Sequence, residues 1–315
     1  MKRKASPAKS SPKDYVYQFA ASSTDWYAAC ASGLYRSQDQ GSSWQIAYDS
    51  LNPKEALPTL CAAAPIGPDG EPMIFAGLNG AILRSTDRCQ TWQSLSLPSP
   101  APIVTSLAPS PDFTRDGILF AGSLGCGVLI YKSHGSDLSM WNFGLLDHEV
   151  LCLAVSPAFA EDQTIFAGVQ SGLFMSVNGG RSWREVDLPP GYKPVLSLGI
   201  SPNFGEDATL CIGTEGKGLY LSRDQGSKWQ RLGKKELVAP INAILLSPSY
   251  PKEREMLVLH GGELLASLDG GDRWEAWQPS ASVEKEVTAI LAPQGLSANQ
   301  PLLVGHIDGE IRLFE

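Results

Sequence analysis

The sequence lacks the features that mark several classes of protein. It has no apolar run approaching 18 residues, so no segment is long enough to form a membrane-spanning helix. It has no CxxC pair and no Gly-x-x-x-x-Gly-Lys-Ser/Thr phosphate loop, and no helical pattern follows its Gly-rich stretch GSLGCG. The four histidines are scattered along 315 residues. We therefore predict no bound cofactor and no metal site.

Basic residues are scarce beyond the first 13 positions. Residues 1–13 hold five bases and no acid, so the other 20 bases face 33 acids and residues 14–315 carry a formal charge of −13. Binding of nucleic acid needs clustered Lys and Arg, so this composition argues against a nucleic-acid partner. The basic start has no apolar stretch typical of a secretory signal. We interpret residues 1–14 as a basic, disordered tail.

Six cysteines lie mostly in apolar stretches such as TLCAAA, VLCLAV and TLCIGT. This environment favours buried, reduced thiols over disulfides. Because no exporting segment accompanies them, we expect a cytoplasmic protein.

An internal repeat of about 46 residues determines the predicted fold. Six tryptophans recur at spacings of 42–49 residues, and six prolines recur independently at spacings of 45 or 46. Each period contains an apolar run, a polar turn, a short apolar run ending in Gly, a Gly-Leu-Tyr-Arg-Ser-like run, and a final short run after the tryptophan. Four short strands in about 46 residues are typical of one blade of a β-propeller.

The repeats predict one all-β domain over residues 15–315, a single seven-bladed propeller of four-stranded antiparallel blades. The innermost strands are expected to begin near seven apolar positions: Tyr15, Leu57, Ile103, Val150, Val195, Ile241 and Val287. The seventh repeat ends early, at GEIRLFE, without a fourth strand. A strand borrowed from residues 4–9 (KASPAK) would complete it, but this segment is poor strand material. We therefore expect three strands in the last blade.

A motif, Ser-x-Asp-x-Gly-x-x-Trp, precedes the tryptophans, and we call it the box turn. Its copies are Ser37-Asp39-Gly41-Trp44, Ser85-Asp87-Trp92, Ser176-Asn178-Gly180-Trp183, Ser222-Asp224-Gly226-Trp229 and Ser267-Asp269-Gly271-Trp274. Cys89 replaces the glycine of the second copy, and the stretch Ser133–Trp141 is degenerate. We expect Asp to accept backbone N–H bonds, Gly to adopt a positive φ, and Trp to fill the wedge between neighbouring sheets. The residues of the box turns are therefore predicted to be structural.

The box turn resembles the Asp-box, or BNR, repeat, and the resemblance covers residues 15–315. Propellers of this superfamily include sialidases, xyloglucan-type glycoside hydrolases, sortilin-type receptors and photosystem II assembly factors. The resemblance implies the fold and leaves the function open. The resemblance to the photosystem II assembly propellers suggests that this protein acts like a chaperone in the assembly of protein complexes.

Two enzyme classes of this superfamily require residues that can be sought in the sequence. A sialidase needs three converging arginines, but the Phe/Tyr-Arg-Ile-Pro signature is absent, and Arg36 and Arg84 are expected on third strands, away from the axis. A glycoside hydrolase needs two carboxylates about 5–10 Å apart across a cleft. The sequence does not show such a pair, so glycoside hydrolysis in the central cleft is the alternative function and not the favoured one.

The favoured function is a non-catalytic binding or assembly scaffold, monomeric, with a protein or glycan partner. Second-to-third strand turns and the connections between blades open on the same face, where rigid sheets can present variable loops. His260 and His306 occupy equivalent positions and, with Asp308, could hold a metal or polar ligand. The candidate binding residues are His148, Glu149, Glu215, Lys217, Lys234, Lys235, His260, Glu263, Glu284, Glu286, His306 and Asp308.

Overall fold

A computed structural model describes residues 5–8, 10–133, 138–189, 191–277, 286–297 and 300–314. It confirms the predicted all-β, seven-bladed propeller. Each of seven four-stranded antiparallel sheets forms one blade, and the first strands of neighbouring blades pack against each other around the ring. The predicted starts of the innermost strands are confirmed to within two residues.

The strands follow the repeat. A short strand near the N-terminus is β1 (Ala5–Pro7). Blade 1 consists of β2 (Val16–Ala21), β3 (Trp26–Cys30), β4 (Gly33–Ser37) and β5 (Gln45–Ile46). Blade 2 consists of β6 (Thr59–Ala63), β7 (Ile74–Leu78), β8 (Ala81–Ser85) and β9 (Gln93–Leu95). Blade 3 consists of β10 (Ile103–Pro109), β11 (Ile118–Leu124), β12 (Gly127–Lys132) and β13 (Ser139–Met140).

The second half of the ring repeats this order. Blade 4 consists of β14 (Val150–Val155), β15 (Ile165–Val169), β16 (Gly172–Ser176) and β17 (Arg184–Val186). Blade 5 consists of β18 (Val195–Ile200), β19 (Leu210–Thr214), β20 (Leu219–Ser222) and β21 (Gln230–Leu232). Blade 6 consists of β22 (Ile241–Leu246), β23 (Met256–His260), β24 (Glu263–Ser267) and β25 (Glu275–Ala276). Blade 7 takes β26 (Val287–Leu291), β27 (Leu302–His306) and β28 (Ile311–Phe314) from the C-terminal repeat.

The N-terminal segment joins the last blade. The seventh repeat supplies three strands, as expected, and β1 pairs antiparallel with β28, Ala5 opposite Phe314 and Pro7 opposite Arg312. This short edge strand comes from outside the C-terminal repeat, and it falls within the segment predicted to be a disordered tail. The pairing is possible because proline is tolerated on an edge strand, where its missing N–H faces no partner.

Helix is confined to short turns among the described residues. The helices α1 (Phe113–Asp116), α2 (Phe159–Asp162) and α3 (Phe204–Asp207) form the first-to-second strand turns of blades 3 to 5. A 3₁₀ turn covers Asp49–Leu51. The acid that ends each helix holds its own turn: Asp162 accepts hydrogen bonds from the Ser156 hydroxyl (2.6 Å) and the Thr164 N–H (2.8 Å).

A β-bulge lies near the start of the innermost strand in all seven blades. In blade 1, Val16 pairs with Cys30 and Gln18 with Ala29, which leaves Tyr17 unpaired. In five of the blades, a glycine of the second strand lies opposite the bulge: Gly77, Gly122, Gly168, Gly213 and Gly305. A Cβ on Gly168 would lie 2.5 Å from Cys152 Sγ and 2.8 Å from Val195 Cγ1 of the next blade, so only glycine fits there.

The box turns take the predicted geometry. In blade 5, Asp224 accepts hydrogen bonds from the Ser222 hydroxyl and the Lys228 N–H, both at 2.8 Å. The Asn178 box turn uses an amide oxygen in the same way, because Ser176 and the Ser182 N–H both donate to it at 2.9 Å. In the degenerate copy, residues 134–137 lie outside the described part of the chain.

The tryptophans of the box turns pack against the preceding blade. Trp44 is buried with Val16 and Phe19 of blade 1 and Leu303 and Leu313 of blade 7. Trp274 is buried with residues of blades 5 and 6. Trp229 is only partly buried between blades 4 and 5, so it fills its wedge less completely than the sequence predicts.

Candidate functional site

The antiparallel order of each blade divides the loops between two faces. The second-to-third strand turns and the connections between blades lie on one side, which we call the upper face. The first-to-second turns and the box turns lie on the other, the lower face.

The box-turn carboxylates of the lower face are engaged within their own turns. Hydrogen bonds from the Ser222 hydroxyl and the Lys228 N–H lower the pKa of Asp224. Burial acts to raise the pKa of Asp39, but hydrogen bonds from Ser43 and Ser37 outweigh it and lower the pKa. These acids are fixed as ionised acceptors, which suits a structural role.

Arg36 and Arg84, the third-strand arginines, have separate partners. The Arg36 guanidinium pairs with the buried Asp25 at 2.9 Å. Arg84 donates to the Tyr131 hydroxyl of the neighbouring blade and to Gln93.

On the upper face, Asp147 organises the connection between blades 3 and 4. It accepts the N–H of Glu149 at 2.9 Å and the N–H of Ser171 at 2.7 Å, and these bonds lower its pKa against the opposing effect of burial. The carbonyl of His148 accepts hydrogen bonds from the N–H groups of Gly125 and Gly127, both at 3.1 Å. These hydrogen bonds hold the backbone of the connection, and the side chains of His148 and Glu149 are exposed on it.

His260 has a structural role in the upper face. Its Nε2 accepts the N–H groups of Val238 (3.1 Å) and Ala239 (2.9 Å), which places the connection between blades 5 and 6. An imidazole that accepts at Nε2 is neutral, with its proton on Nδ1. Burial lowers the pKa of His260, opposed by the Glu263 carboxylate, so the neutral form is favoured.

His306 occupies the equivalent register position of the next blade, opposite Val287 as His260 is opposite Ile241. It is 1% exposed, whereas Asp308 is exposed. The structure thus does not present His260, His306 and Asp308 together as ligands. Within the described ranges, no group of three His, Cys, Asp or Glu side chains is disposed to hold a metal ion.

Basic side chains gather on the upper face around blade 5. Lys234 and Lys235 are exposed at the upper end of an open groove of about 850 Å³. The groove follows β21 from Tyr192, Arg231 and Glu236 to Asp272 in the box turn of blade 6. Lys217 and Glu215 are exposed on the adjacent second-to-third turn. Glu263 and Glu286 are also exposed, whereas Glu284 lies outside the described residues.

Sequence reasoning missed the exposed apolar side chains of this face. Leu146 and Val238 are 82% and 60% exposed beside the ordered connections, and Ile307 is 46% exposed in the turn before β28. Tyr15 and Tyr17 are also exposed, at the start of β2. The alternation of aromatic and apolar residues in DYVYQF could have indicated the two tyrosines, because residues on either side of a buried strand residue face away from it.

An apolar groove of about 400 Å³ lies at the lower ends of the innermost strands of blades 5 and 6. Leu198, Ile200, Ile244 and Leu246 line it with Pro248. None of the described residues that line this groove is a carboxylate, so these residues do not supply the acid pair that glycoside hydrolysis requires.

All six cysteines are free thiols, and Cys30, Cys61 and Cys211 are buried. None of the described helices has the length and apolar character needed to cross a bilayer.

No family model matches the sequence, and no curated protein matches it. Solved structures share its fold. YCF48 bound to D1 peptide has a TM-score of 0.75 at 14% identity, over all of this chain and 97% of that one. The GH74 xyloglucanase from Xanthomonas campestris has a TM-score of 0.72 at 18% identity, over 98% of this chain and 53% of that one. The extracellular domain of BT4673 from B. thetaiotaomicron has a TM-score of 0.73 at 16% identity. This chain covers 40% of that domain's length. At these identities the likeness is one of fold, a seven-bladed propeller.

Proposed function

We propose that the protein is a non-catalytic scaffold of the Asp-box type that binds a protein partner through its upper face. The observation that carries the proposal is the contrast between the two faces. On the lower face, Asp162, Asp207 and the box-turn acids are engaged in their own turns. On the upper face, the connections between blades differ in sequence from one another, and the side chains of Leu146 and Val238 project from connections fixed by Asp147 and His260.

Exposed apolar side chains on an ordered frame are typical of protein-interaction surfaces. The mixed charges around them, with Lys234 and Lys235 close to Glu236, favour a polar protein surface over nucleic acid. The fold shared with a propeller bound to a peptide supports the same interpretation. Six free thiols further support a reducing compartment, and we propose that the protein acts as a monomer in the cytoplasm.

Affinity purification from the native host tests the proposal. The double variant Lys234→Glu/Lys235→Glu should lose most of the recovered partner, while its melting temperature stays near that of the wild type. A matched double variant of the lower face, Glu161→Lys/Glu206→Lys, should keep the partner, because both acids are exposed on that face. Loss of the partner only in the second variant would assign binding to the lower face.

The alternative, glycoside hydrolysis, has a separate test. Xyloglucan is the substrate to try, because a GH74 xyloglucanase has the same fold. Cleavage of xyloglucan by the purified protein would replace the scaffold proposal with an enzyme that acts in the central cleft.

A further inference from the structure

Two exposed tyrosines lie side by side where blade 7 meets blade 1. Tyr15 and Tyr17 are 38% and 39% exposed, and their ring centroids are 4.8 Å apart. Tyr17 is the unpaired residue of the β2 bulge, and the Tyr15 carbonyl accepts the Ala31 N–H at 3.0 Å. The paired backbone holds both residues in place and the two rings contact each other, so a ligand can use their contact area at a low cost in conformational entropy.

The turn between β27 and β28 extends this aromatic surface. Its Ile307 is 46% exposed and donates its N–H to the Glu286 carbonyl at 3.1 Å. Gly309 of the same turn packs on the backbone before Tyr15, since a Cβ there would lie 2.4 Å from the Asp14 nitrogen. Tyr15, Tyr17, Glu286 and Ile307 thus belong to one surface, which we call the seam patch.

Acidic groups dominate the surroundings of the seam patch. Burial raises the pKa of Tyr15, and the nearby Glu286 carboxylate raises it further. Asp308 is exposed on the turn beside Ile307. One buried oxygen of Asp14 accepts no hydrogen bond from the described residues. Lys13 is the exposed base on the same segment.

We propose that the seam patch binds an extended protein segment that presents a Lys or Arg side chain next to an apolar one. The cation would lie over a tyrosine ring and towards the Glu286 carboxylate, and the apolar side chain would cover Tyr17 and Ile307. A sugar ring could also stack on the tyrosines. The surrounding carboxylates, however, attract a cation electrostatically, and they do not attract a neutral glycan in this way. The inference rests on the proposed function and specifies the chemistry of the partner on the same face.

An array of immobilised nine-residue peptides, probed with the full-length protein, tests this inference. Peptides with Lys or Arg beside Leu or Phe should be retained, and the same peptides with Glu in place of the base should not. Tyr17→Ser and Glu286→Gln should each weaken binding by about fivefold to thirtyfold, the effect expected for loss of a cation–π or charge-assisted contact. Leu268→Ser, at a side chain that is 77% exposed in a lower-face box turn, should leave binding unchanged.

The outcomes separate the inference from the function on which it rests. Peptide binding that ignores Tyr17 and Glu286, or no preference for a base, overturns the inference. Retention of oligosaccharides that is lost in Tyr17→Ser, without retention of peptides, overturns it in favour of a glycan site. If either result accompanies a host partner that still depends on Lys234 and Lys235, the proposed function stands and only the seam-patch inference fails. Melting temperatures of both variants establish that they fold.

Discussion

Ser10 and Trp44 lie 34 residues apart in sequence, and two hydrogen bonds between them join blade 7 to blade 1. The Ser10 hydroxyl accepts the Trp44 N–H at 3.0 Å and donates to the Trp44 carbonyl at 3.1 Å. Ser10 follows β1, which completes blade 7, and Trp44 belongs to blade 1. The N-terminal segment therefore connects the two ends of the propeller.

Truncation of the N-terminus should reveal this closure. Removal of residues 1–11 deletes β1, the Ser10 bonds, and the bonds of the Ala8 N–H to Ile311 and of the Ile311 N–H to Ser11. With a net contribution of about 0.5–1.5 kcal/mol per hydrogen bond, we expect the free energy of unfolding to fall by about 2–4 kcal/mol in urea melts. Removal of residues 1–4 alone keeps β1 and should change little. Equal stability of both truncated proteins would show that the segment does not close the ring.

The protein should be more stable with glycine than with another residue at position 89, because Cys89 has a backbone conformation that favours glycine. It has a φ of +70°, where the other box turns place Gly41, Gly180, Gly226 and Gly271 with φ between +83° and +98°. A residue with a Cβ costs about 1–2 kcal/mol in this conformation. Cys89→Ala removes the thiol but keeps the strain, so Cys89→Gly should be more stable than Cys89→Ala by about 1 kcal/mol in denaturant melts. Greater stability of the alanine variant, the usual order, would contradict this account of the turn.

Two tryptophans should respond differently to the same substitution. Trp274 Nε1 donates to the Gly271 carbonyl at 3.0 Å, whereas Trp229 Nε1 is buried and has no hydrogen-bond partner among the described residues. Trp274→Phe leaves a carbonyl unpaired, while Trp229→Phe removes an unsatisfied donor. We expect Trp274→Phe to cost about 1 kcal/mol more than Trp229→Phe in denaturant melts. The reverse order would show that the indole N–H groups do not govern these positions.

The box-turn acids should make stability depend on pH in the acid range. Hydrogen bonds to the folded protein lower the pKa of Asp224, with Ser222 as the main donor, and of Asp269, with the Arg273 N–H as the main donor. The folded pKa lies below the unfolded value of about 3.9, so this stabilisation is present above pH 4 and is lost as the pH falls through the folded pKa.

The double variant Asp224→Asn/Asp269→Asn tests this dependence. Asn178 already accepts the same bonds in its own turn, so the amide should preserve the geometry. Its melting temperature should fall less steeply than that of the wild type below pH 4. Parallel curves for the two proteins would show that these carboxylates do not contribute to the acid transition.

The seven-bladed propeller could be predicted from the sequence because each repeat specifies the geometry of its own turns. Each box-turn Ser, Asp and Gly acts on residues within four positions, so the motif alone identifies the turn. Closure by β1 was not predictable in this way, because Ala5–Pro7 has weak strand propensity and is held by a partner more than 300 residues away. The seam patch was missed for the same reason, since Tyr15 and Ile307 are brought together only by closure. His260 appeared to be a ligand because the sequence does not show that its Nε2 faces two backbone N–H groups.

Site-specific photo-cross-linking tests the central claim, that the upper face binds a protein. Benzoylphenylalanine would replace Leu146 and Val238 on the upper face, and Val177 and Leu268 in lower-face box turns. All four side chains are apolar and more than half exposed, so the two pairs are matched. In cells of the native host, our account predicts a discrete protein adduct from positions 146 and 238 and none from positions 177 and 268. Adducts from the lower positions alone, or equally from all four, would contradict it.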